Sequence, residues 1–302
     1  MFELSNASGS QADVMAKVSY LRGWGILNSR RELLKRIAIT LVCFMTLLAL
    51  HSEAFCQVIS ISTYNFNWEN ADVDSSIEMI RDVDCDIVCF QELNPVPFKR
   101  LRDSLLAIYP YWYRANQFAF CSKRRLDGFE ASIHVNYAIC RMQFGGRQIQ
   151  IANVHLSPIS LSGNVSLLSL LKEIGKQDSK HVDEVHGLLR EIDSEAPSII
   201  LGDFNSVEGS KALALLLENG YVDCFASSNP GMPIAPTWQL NRMQALEKRS
   251  GQEETGPQIP IALRLDYVLA SKELRPTKCS IKRAGGSDHF PVVATIELGA
   301  AN

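Results

Sequence analysis

Ile199-Ile200-Leu201-Gly202-Asp203-Phe204-Asn205 combines a short apolar run with two polar side chains directly after it. Such a run predicts a buried strand. Residues two apart in an extended segment face the same side, so Asp203 and Asn205 are expected to point together. The carboxylate can orient or deprotonate a water molecule, and the amide can donate a hydrogen bond on the same side. An ordinary Asp/Asn turn after the strand is the alternative.

Five further segments carry acid, amide or imidazole side chains, and most of them also follow an apolar run. If the runs pair in one sheet, the polar residues at their ends can converge on one edge, where clustered carboxylates repel one another unless a cation lies among them. The segments are Tyr64-Asn65-Phe66-Asn67, Gln91-Glu92, Asn153-Val154-His155, Leu265-Asp266-Tyr267 and Ser287-Asp288-His289.

The order and wording of the six segments resemble the endonuclease/exonuclease/phosphatase superfamily, and the resemblance spans roughly Cys56 to Leu298. That superfamily includes deoxyribonuclease-I-like nucleases, abasic-site endonucleases, inositol polyphosphate phosphatases and bacterial sphingomyelinases. The resemblance implies an α/β fold of two packed mixed β-sheets flanked by helices, a four-layer α/β sandwich. It also implies a metal-dependent phosphoric ester hydrolase that uses Mg²⁺ or Mn²⁺.

The resemblance assigns a role to each matching residue. Glu92 is the expected main metal ligand, and Asp266 is expected to orient His289 for proton transfer or charge stabilisation. Similar endonucleases often have an acid where Asn67 stands, so a second metal ligand there is left open. The expected catalytic residues are His155, Asp203, Asn205, Asp266 and His289; the expected metal ligands are Asn65, Glu92 and Asp288; the expected substrate contacts are Asn153 and Trp238.

Two questions about function stay open at this stage. A non-catalytic member of the fold that only binds phosphorylated ligands or a partner is the alternative to an enzyme, and the intact set of acids and imidazoles argues against it. Within the enzyme interpretation, the phosphate-ester substrate is either nucleic acid or a lipid head group. Trp238 could stack on a base, contact a lipid or fill the core. No obligate protein partner is implied, and we expect a monomer.

Composition limits these choices further. The 302 residues carry a formal net charge of −3 and are 46% hydrophobic, enough to bury a sizeable core. Residues 1–54 hold six Lys/Arg and four acids, which leaves 24 basic and 29 acidic residues in the remainder, a net charge of −5. The remainder has no long basic run, which argues mildly against tight nucleic-acid binding. Among eight cysteines no pair has zinc-ligand spacing, and Cys89, Cys121 and Cys140 are expected in the core.

The amino-terminal part predicts export. A basic stretch, Arg30 to Arg36, precedes the apolar run Ile37 to Leu50, and small residues follow at Ser52 and Ala54. The run has 14 residues, fewer than the about 20 that a membrane span needs. We therefore expect residues 1–54 to be a signal peptide with a polar leader, or second a membrane anchor. The domain is expected at 55–302, in a periplasmic or extracellular protein that stays membrane-anchored if the signal is not cleaved.

Periodicity predicts alternating strands and helices in the body. Two stretches look like loops: Ser157 to Gly175, a partly apolar flap, and Asn241 to Pro260, a mobile insertion. The predicted strands are Val58 to Tyr64, Ile87 to Phe90, Phe118 to Cys121, Ile133 to Met142, Gln148 to Asn153, Ile199 to Leu201, Leu265 to Ala270 and Val292 to Leu298. The predicted helices are Asp72 to Val83, Pro97 to Ile108, Asp178 to Glu195 and Ser210 to Asn219.

Overall fold

Thirteen strands and six helices make up the part of the chain that the computed structural model describes, which is residues 35, 58–128, 134, 136–159, 166–232, 235–249 and 261–298. The predicted leader therefore lies, apart from Lys35, outside the described residues. Within those residues no helix is both long and apolar enough to cross a membrane.

The strands and helices are numbered here in chain order. The strands are β1 (Val58–Asn65), β2 (Ile87–Gln91), β3 (Tyr111–Ala115), β4 (Phe118–Ser122), β5 (Tyr137–Phe144), β6 (Arg147–His155), β7 (Ser198–Asp203), β8 (Tyr221–Asp223), β9 (Trp238–Gln239), β10 (Ala262–Leu263), β11 (Asp266–Ser271), β12 (Leu274–Ile281) and β13 (Val292–Leu298). The helices are α1 (Val73–Val83), α2 (Pro95–Leu105), α3 (Leu167–Glu191), α4 (Lys211–Glu218), α5 (Cys224–Ser228) and α6 (Leu240–Arg249).

Two mixed sheets form the centre of the fold. The first has the order β12-β13-β1-β2-β4-β3, and the second has the order β5-β6-β7-β11-β8. Each sheet has one parallel pair, β1 with β2 and β6 with β7, and the other pairs are antiparallel. β9 and β10 form a small separate ribbon. Each sheet thus places a parallel pair near its middle, with two carboxyl ends side by side.

Alternating side chains explain the layers. In β7, Ile199 and Leu201 pack into the core between the two sheets, while Ile200 packs outward with residues of α3 and α4. Helices α1 and α2 cover the outer face of the first sheet in the same way. The predicted four-layer α/β sandwich is confirmed. Cys89 and Cys140 are buried between the sheets and Cys121 is buried beneath α1 and α2; all three are free, and their burial is as expected.

Both predicted loops contain helix. The flap prediction is wrong over Leu167 to Gly175, because α3 begins at Leu167, eleven residues before the predicted start at Asp178. Ser166 caps it, since its hydroxyl accepts from the Ser169 backbone N–H while the Ser169 hydroxyl accepts from the Ser166 N–H. The insertion prediction is wrong over residues 241–249, which belong to α6. Residues 160–165 and 250–260 lie outside the described part.

Smaller differences concern boundaries and short strands. Helix α2 begins at Pro95, earlier than predicted, because prolines are favoured in the first helical turn. It also ends earlier than predicted, at Leu105. Helix α3 ends at Glu191 rather than Glu195. The short strands β3, β8, β9 and β10 were not predicted, and neither was the eight-residue β12, whose register shifts between Pro276 and Lys278, as expected for a proline in an edge strand.

Gly202 lies where β7 closely approaches β6 beneath the candidate site. Its φ is +146°, and a Cβ built there would lie 1.9 Å from the carbonyl oxygen of Val154 on β6. Any side chain would collide with that backbone, so the position requires glycine. This close contact lies directly next to two candidate site residues, since Asp203 follows Gly202 and His155 follows Val154.

Candidate active site

The polar residues at the strand ends of both sheets lie at one edge of the fold, where many of them line a cavity of about 270 Å³. The carboxyl ends of β1, β2, β6 and β7 meet there with the start of β11 and the segment before β13. Strand pairing brings Asp266 directly opposite Asp203. The cavity is lined by Asn67, Trp68, Glu69, Glu92, Pro158, Ile159, Leu170, Asp203, Asn205, Trp238, Met243, Leu265, Asp288 and His289.

Asn65 joins the two halves of the site. Its Nδ2 donates to Glu92 Oε1 and to Asp203 Oδ2, both at 2.9 Å, and so connects an acid of the first sheet to one of the second. Its Oδ1 accepts from the backbone N–H of Asn67 at 3.0 Å. The predicted metal ligand is thus used in this arrangement as a donor that positions two carboxylates.

Glu92 turns into the cavity through an unusual backbone conformation. Its φ is +54°, a left-handed value that is rare for a residue other than glycine or asparagine and costs about 1–3 kcal/mol. Its second oxygen, Oε2, accepts from the backbone N–H of Trp68 at 3.3 Å. Burial raises the pKa of the Glu92 carboxyl, against the lowering effect of the Asn65 hydrogen bond. The fold therefore holds a strained, poorly solvated carboxylate at the cavity wall.

Asp203 lies at the centre of the site. Its Oδ1 accepts from the backbone N–H of Asn205 at 2.8 Å, and its Oδ2 lies 3.8 Å from His155 Nε2 and 3.7 Å from His289 Nε2. Burial raises the pKa of Asp203 to about 6, although the nearby imidazoles act in the opposite direction. A carboxylate with that pKa is a stronger base than an ordinary aspartate and is still ionised at neutral pH.

His289 is held as a proton donor by Asp266. Its Nδ1 lies 2.8 Å from Asp266 Oδ2, and the Thr237 hydroxyl oxygen accepts from the backbone N–H of Asp266, which holds the start of β11. Burial acts to lower the pKa of His289, but the carboxylates of Asp266 and Asp203 prevail and raise it well above its usual value. The ring is therefore an imidazolium whose Nε2 faces Asp203.

His155 has the opposite character. Its Nδ1 lies 2.6 Å from Oε1 of Gln117, an oxygen that only accepts, so Nδ1 carries the proton. Burial lowers the pKa of His155, which favours the neutral ring. Its Nε2 has no hydrogen-bond partner among the described residues and lies 3.4 Å from Glu92 Oε1. In this tautomer the second imidazole presents a lone pair to the carboxylates and cannot donate a proton from Nε2.

Asp288 is fixed by three donors, one of which is the Ser287 hydroxyl, at 3.2 Å from its Oδ1. Asn67 Nδ2 donates to its Oδ1 at 2.7 Å, and Trp238 Nε1 donates to its Oδ2 at 2.8 Å. The Trp238 ring packs in an apolar cluster with Leu170 and Leu265 and is 4% exposed. Trp238 therefore fills the cavity wall and positions Asp288. Asn67 has the same positioning role.

The two remaining predicted residues differ in placement. Asn205 lines the cavity, and one of its two amide protons goes to the Leu156 carbonyl at 2.9 Å. Asn153 is fully buried and does not line the cavity: its Nδ2 donates to the Phe90 carbonyl at 2.9 Å, and its Oδ1 accepts from Gln91 Nε2 at 2.5 Å. Asn153 thus connects the two sheets beneath the site and is too deep for direct substrate contact in this structure.

Helix α3 holds two of the loops that carry site residues. His181 is fully buried, with Nδ1 2.8 Å from the Ser206 hydroxyl and Nε2 2.8 Å from the Ser157 carbonyl. Glu184, one turn further, accepts from both the backbone N–H and the hydroxyl of Ser157. Ser157 follows His155 by two residues and Ser206 follows Asn205, so α3 positions both segments.

Sequence patterns did not identify several of these supporting residues. Gln117 lies in the turn between β3 and β4, where no motif surrounds it, and only the fold brings it to His155. Thr237 directly precedes the predicted site residue Trp238, but nothing in the sequence indicates that its hydroxyl accepts from the backbone of Leu265 and Asp266. Hydrogen bonds between residues far apart in sequence have no periodic signature.

The donor chemistry of the cavity fits a divalent cation. Four carboxyl groups line it, those of Glu69, Glu92, Asp203 and Asp288, and a fifth, Asp266, contacts His289. An anionic phosphate ester would therefore be repelled unless a cation offsets the excess negative charge. Carboxylate oxygens are preferred by Mg²⁺ and Mn²⁺. One ligand atom each from Glu92, His155 and Asp203 lie within 4.8 Å of one another, and the unpartnered Nε2 of His155 is among them.

A four-layer sandwich whose strand ends gather carboxylates and a His–Asp pair defines the deoxyribonuclease-I-like class of folds. The sequence profile described as the Endonuclease/Exonuclease/phosphatase family matches residues 62–289, three quarters of the chain, and the chain belongs to this family. Members of the family are generally hydrolases that act on phosphate esters. No curated protein matches the chain in sequence.

Solved structures share the fold at low sequence identity. An endonuclease/exonuclease/phosphatase from Beutenbergia cavernae matches with a TM-score of 0.56 and 16% identity, over 81% of this chain and 72% of that chain. One from Bacteroides vulgatus matches with a TM-score of 0.56 and 16% identity, over 80% and 99%. D. rerio TDP2 complexed with a single-strand DNA product matches with a TM-score of 0.55 and 16% identity, over 79% and 98%.

Proposed function

We propose that the protein is an Mg²⁺-dependent phosphoesterase that hydrolyses a phosphodiester or phosphomonoester by attack of an activated water molecule. The observation that carries the proposal is the convergence of Glu92, Asp203 and the His289–Asp266 pair on one cavity. We also propose that the mature protein is exported and monomeric, on the basis of its amino-terminal sequence pattern and the family.

Glu92 and Asp288, with Asn65 beside them, are the residues proposed to hold the cation, and Asp203 and His155 lie close enough to contribute. When bound, the cation would offset the negative charge of the ester and polarise its phosphoryl group. In the present arrangement Asn65 uses its amide to hold Glu92 and Asp203 in place, so its contribution to the cation site is mainly indirect.

Proton transfers are assigned from the protonation states of the site. Asp203 is ionised at neutral pH and is held by Asn65 and Asn205. It accepts a proton from the attacking water molecule while the oxygen of that water forms the new bond to phosphorus. His289, an imidazolium oriented by Asp266, stabilises the charge on the phosphate and supplies the proton that the leaving oxygen takes up as the ester bond breaks. His155 acts through its lone pair, as a ligand or a proton acceptor.

Chelation should abolish hydrolysis. We expect the purified protein to hydrolyse a water-soluble phosphodiester such as bis(p-nitrophenyl) phosphate in Mg²⁺ or Mn²⁺, and to lose this activity in excess EDTA. The reason is that the carboxylates of the cavity repel the anionic ester unless a cation is present. Release of p-nitrophenol measures the rate, and restoring Mg²⁺ to the same sample is the control. Undiminished activity in EDTA would remove the metal-dependent mechanism.

The same assay separates the enzyme from a protein of this fold that only binds phosphorylated ligands. The binding protein would show no turnover with any ester in Mg²⁺. A panel of duplex DNA, RNA, sphingomyelin, inositol phosphates and polyprenyl pyrophosphate then distinguishes a nuclease from a lipid-phosphate hydrolase. The resemblance of the fold to D. rerio TDP2, which was crystallised with a single-strand DNA product, supports including nucleic acid.

Mg²⁺ binding should weaken as the pH falls through about 6. Burial raises the pKa of Asp203 to about 6, so below this pH a proton occupies a carboxyl oxygen next to the proposed cation site; burial raises the pKa of Glu92 as well. We expect the apparent Kd to rise by up to roughly tenfold per pH unit once a ligand is protonated. Calorimetric titration across this range measures it, and Asp203→Asn should flatten the dependence. An unchanged Kd in the wild-type protein would contradict the proposed ligands.

A further inference from the structure

Helix α3 begins with an exposed apolar patch beside the cavity. Leu167, Leu168 and Leu171 are 50%, 79% and 41% exposed, although a leucine is normally buried. At positions i, i+1 and i+4 they lie on one side of the helix. They adjoin Leu170 on the same turns, which is 1% exposed and lines the cavity. The apolar surface is therefore continuous from the cavity wall to solvent.

The cavity itself has two chemically different walls. The polar wall includes Glu92, Asp203, Asp288 and His289. The other wall is apolar and is formed by Pro158, Ile159, Leu170, Trp238, Met243 and Leu265. A phosphate ester at the polar wall thus has apolar surface next to it, on the side that leads to the exposed leucines.

Lysines border the leucine patch. Lys172 and Lys176 follow Leu168 at intervals of four residues, and Lys180 continues the same row. All three are exposed; Lys176 pairs with Glu173, whereas Lys172 and Lys180 form no ion pair with any described residue. This local positive row stands out because the chain outside residues 1–54 carries more acids than bases. Exposed leucines bordered by lysines are the pattern of a helix that lies in the interface of an anionic bilayer.

We propose that the first turns of α3 are a lipid-docking surface. Leu167, Leu168 and Leu171 insert at the boundary between head groups and acyl chains of an anionic bilayer, and Lys172 and Lys176 contact lipid phosphates. The adjoining cavity then receives a phosphate ester that carries an apolar group, whose head group faces the acids and whose apolar part lies along the Leu170 wall. This second step rests on the proposed phosphoesterase activity, whereas docking does not.

A nucleic acid fits this surface less well. Its backbone attracts basic side chains and its bases stack on aromatic rings, but three exposed leucines satisfy neither requirement. The lysine row without the leucines would be compatible with nucleic acid, and the leucines without lysines would be compatible with a protein partner. The combination, continuous with the cavity, favours lipid.

The test is co-sedimentation of the full chain with vesicles of phosphatidylcholine, with and without phosphatidylglycerol. We expect binding that increases with phosphatidylglycerol and decreases with salt. Leu168→Glu should reduce the partition coefficient by about tenfold or more, and Lys172→Glu with Lys176→Glu should remove the preference for anionic vesicles. Leu217→Glu is the matched control, because Leu217 is 49% exposed on α4 and does not line the cavity.

Equal binding by wild type and Leu168→Glu would overturn the proposal, since any remaining affinity would then come from another part of the chain. A shift of oligomeric state on Leu168→Glu in analytical ultracentrifugation, without a change in vesicle binding, would instead identify the patch as a contact between copies. Hydrolysis of the water-soluble phosphodiester by the wild-type chain is measured separately. Loss of that activity with intact vesicle binding would contradict the proposed function alone.

Discussion

His289→Ala and Asp203→Asn are each expected to lower turnover of a phosphodiester by about 10²-fold or more, the scale of lost general acid–base catalysis. His289 is the imidazolium that Asp266 holds at 2.8 Å, and Asp203 is the carboxylate whose pKa burial raises to about 6. Removing the imidazole leaves the developing charge without its donor, and the amide of asparagine cannot accept the proton from water. Steady-state kinetics at saturating Mg²⁺ give kcat directly.

His186→Ala provides the matched control for the histidine, since His186 is exposed on α3 and does not line the cavity. His186→Ala should leave kcat within about twofold of wild type, because substitutions of exposed residues away from the active site and the core have small effects. Circular dichroism is the check that each variant is folded. If His289→Ala or Asp203→Asn keeps near-wild-type turnover, the role given to that residue is wrong.

Gly202→Ala is expected to have the largest effect on stability, a loss of about 3–5 kcal/mol in the free energy of unfolding. The added Cβ would lie 1.9 Å from the Val154 carbonyl oxygen, and the φ of +146° disfavours any side chain. To relieve the collision β6 and β7 must separate, which also displaces His155 from Asp203. Urea denaturation followed by circular dichroism measures the loss.

Two control substitutions distinguish the steric collision at Gly202 from the strain of its backbone conformation. Gly146 has a φ of +73° and open space around its Cβ position, so Gly146→Ala carries only backbone strain and should cost about 1 kcal/mol. Gly175 lies in α3 with open space and no positive φ, so Gly175→Ala should be neutral or stabilising. Gly202→Ala behaving like Gly146→Ala would show that the strands tolerate the extra atom.

The central fold could be predicted because its strands have a local signature. Ile199, Ile200 and Leu201 are apolar on both faces, which is what a strand between a second sheet and a layer of helices requires. Once these strands are recognised as neighbours in a sheet, the polar residues that follow them can be placed at one edge of it. Strand β12 was not predicted because it is an edge strand that contains Pro276, and it has neither a continuous apolar run nor polar site residues after it.

The start of α3 could not be predicted because two features of its first turns contradict the expected pattern. Leu167, Leu168 and Leu171 are exposed, so apolar residues occur on more than one face and obscure the helical period. The capping pair, Ser166 with Ser169, uses a serine where glutamate or glutamine is the usual signal. Gln117 was missed for a different reason, since its contact with His155 exists only in the folded chain.

The position of β13 has a consequence for how the protein is made. This strand is synthesised last among the described elements, yet it lies between β12 and β1 in the first sheet, and Asp288 and His289 immediately precede it. While the ribosome is still adding these residues, β1 lacks its antiparallel neighbour, and Asp203 and Asp266 lack the imidazolium between them. A nascent chain therefore carries an incomplete site until Asp288, His289 and β13 have been synthesised, and a product terminated before Asp288 never assembles one.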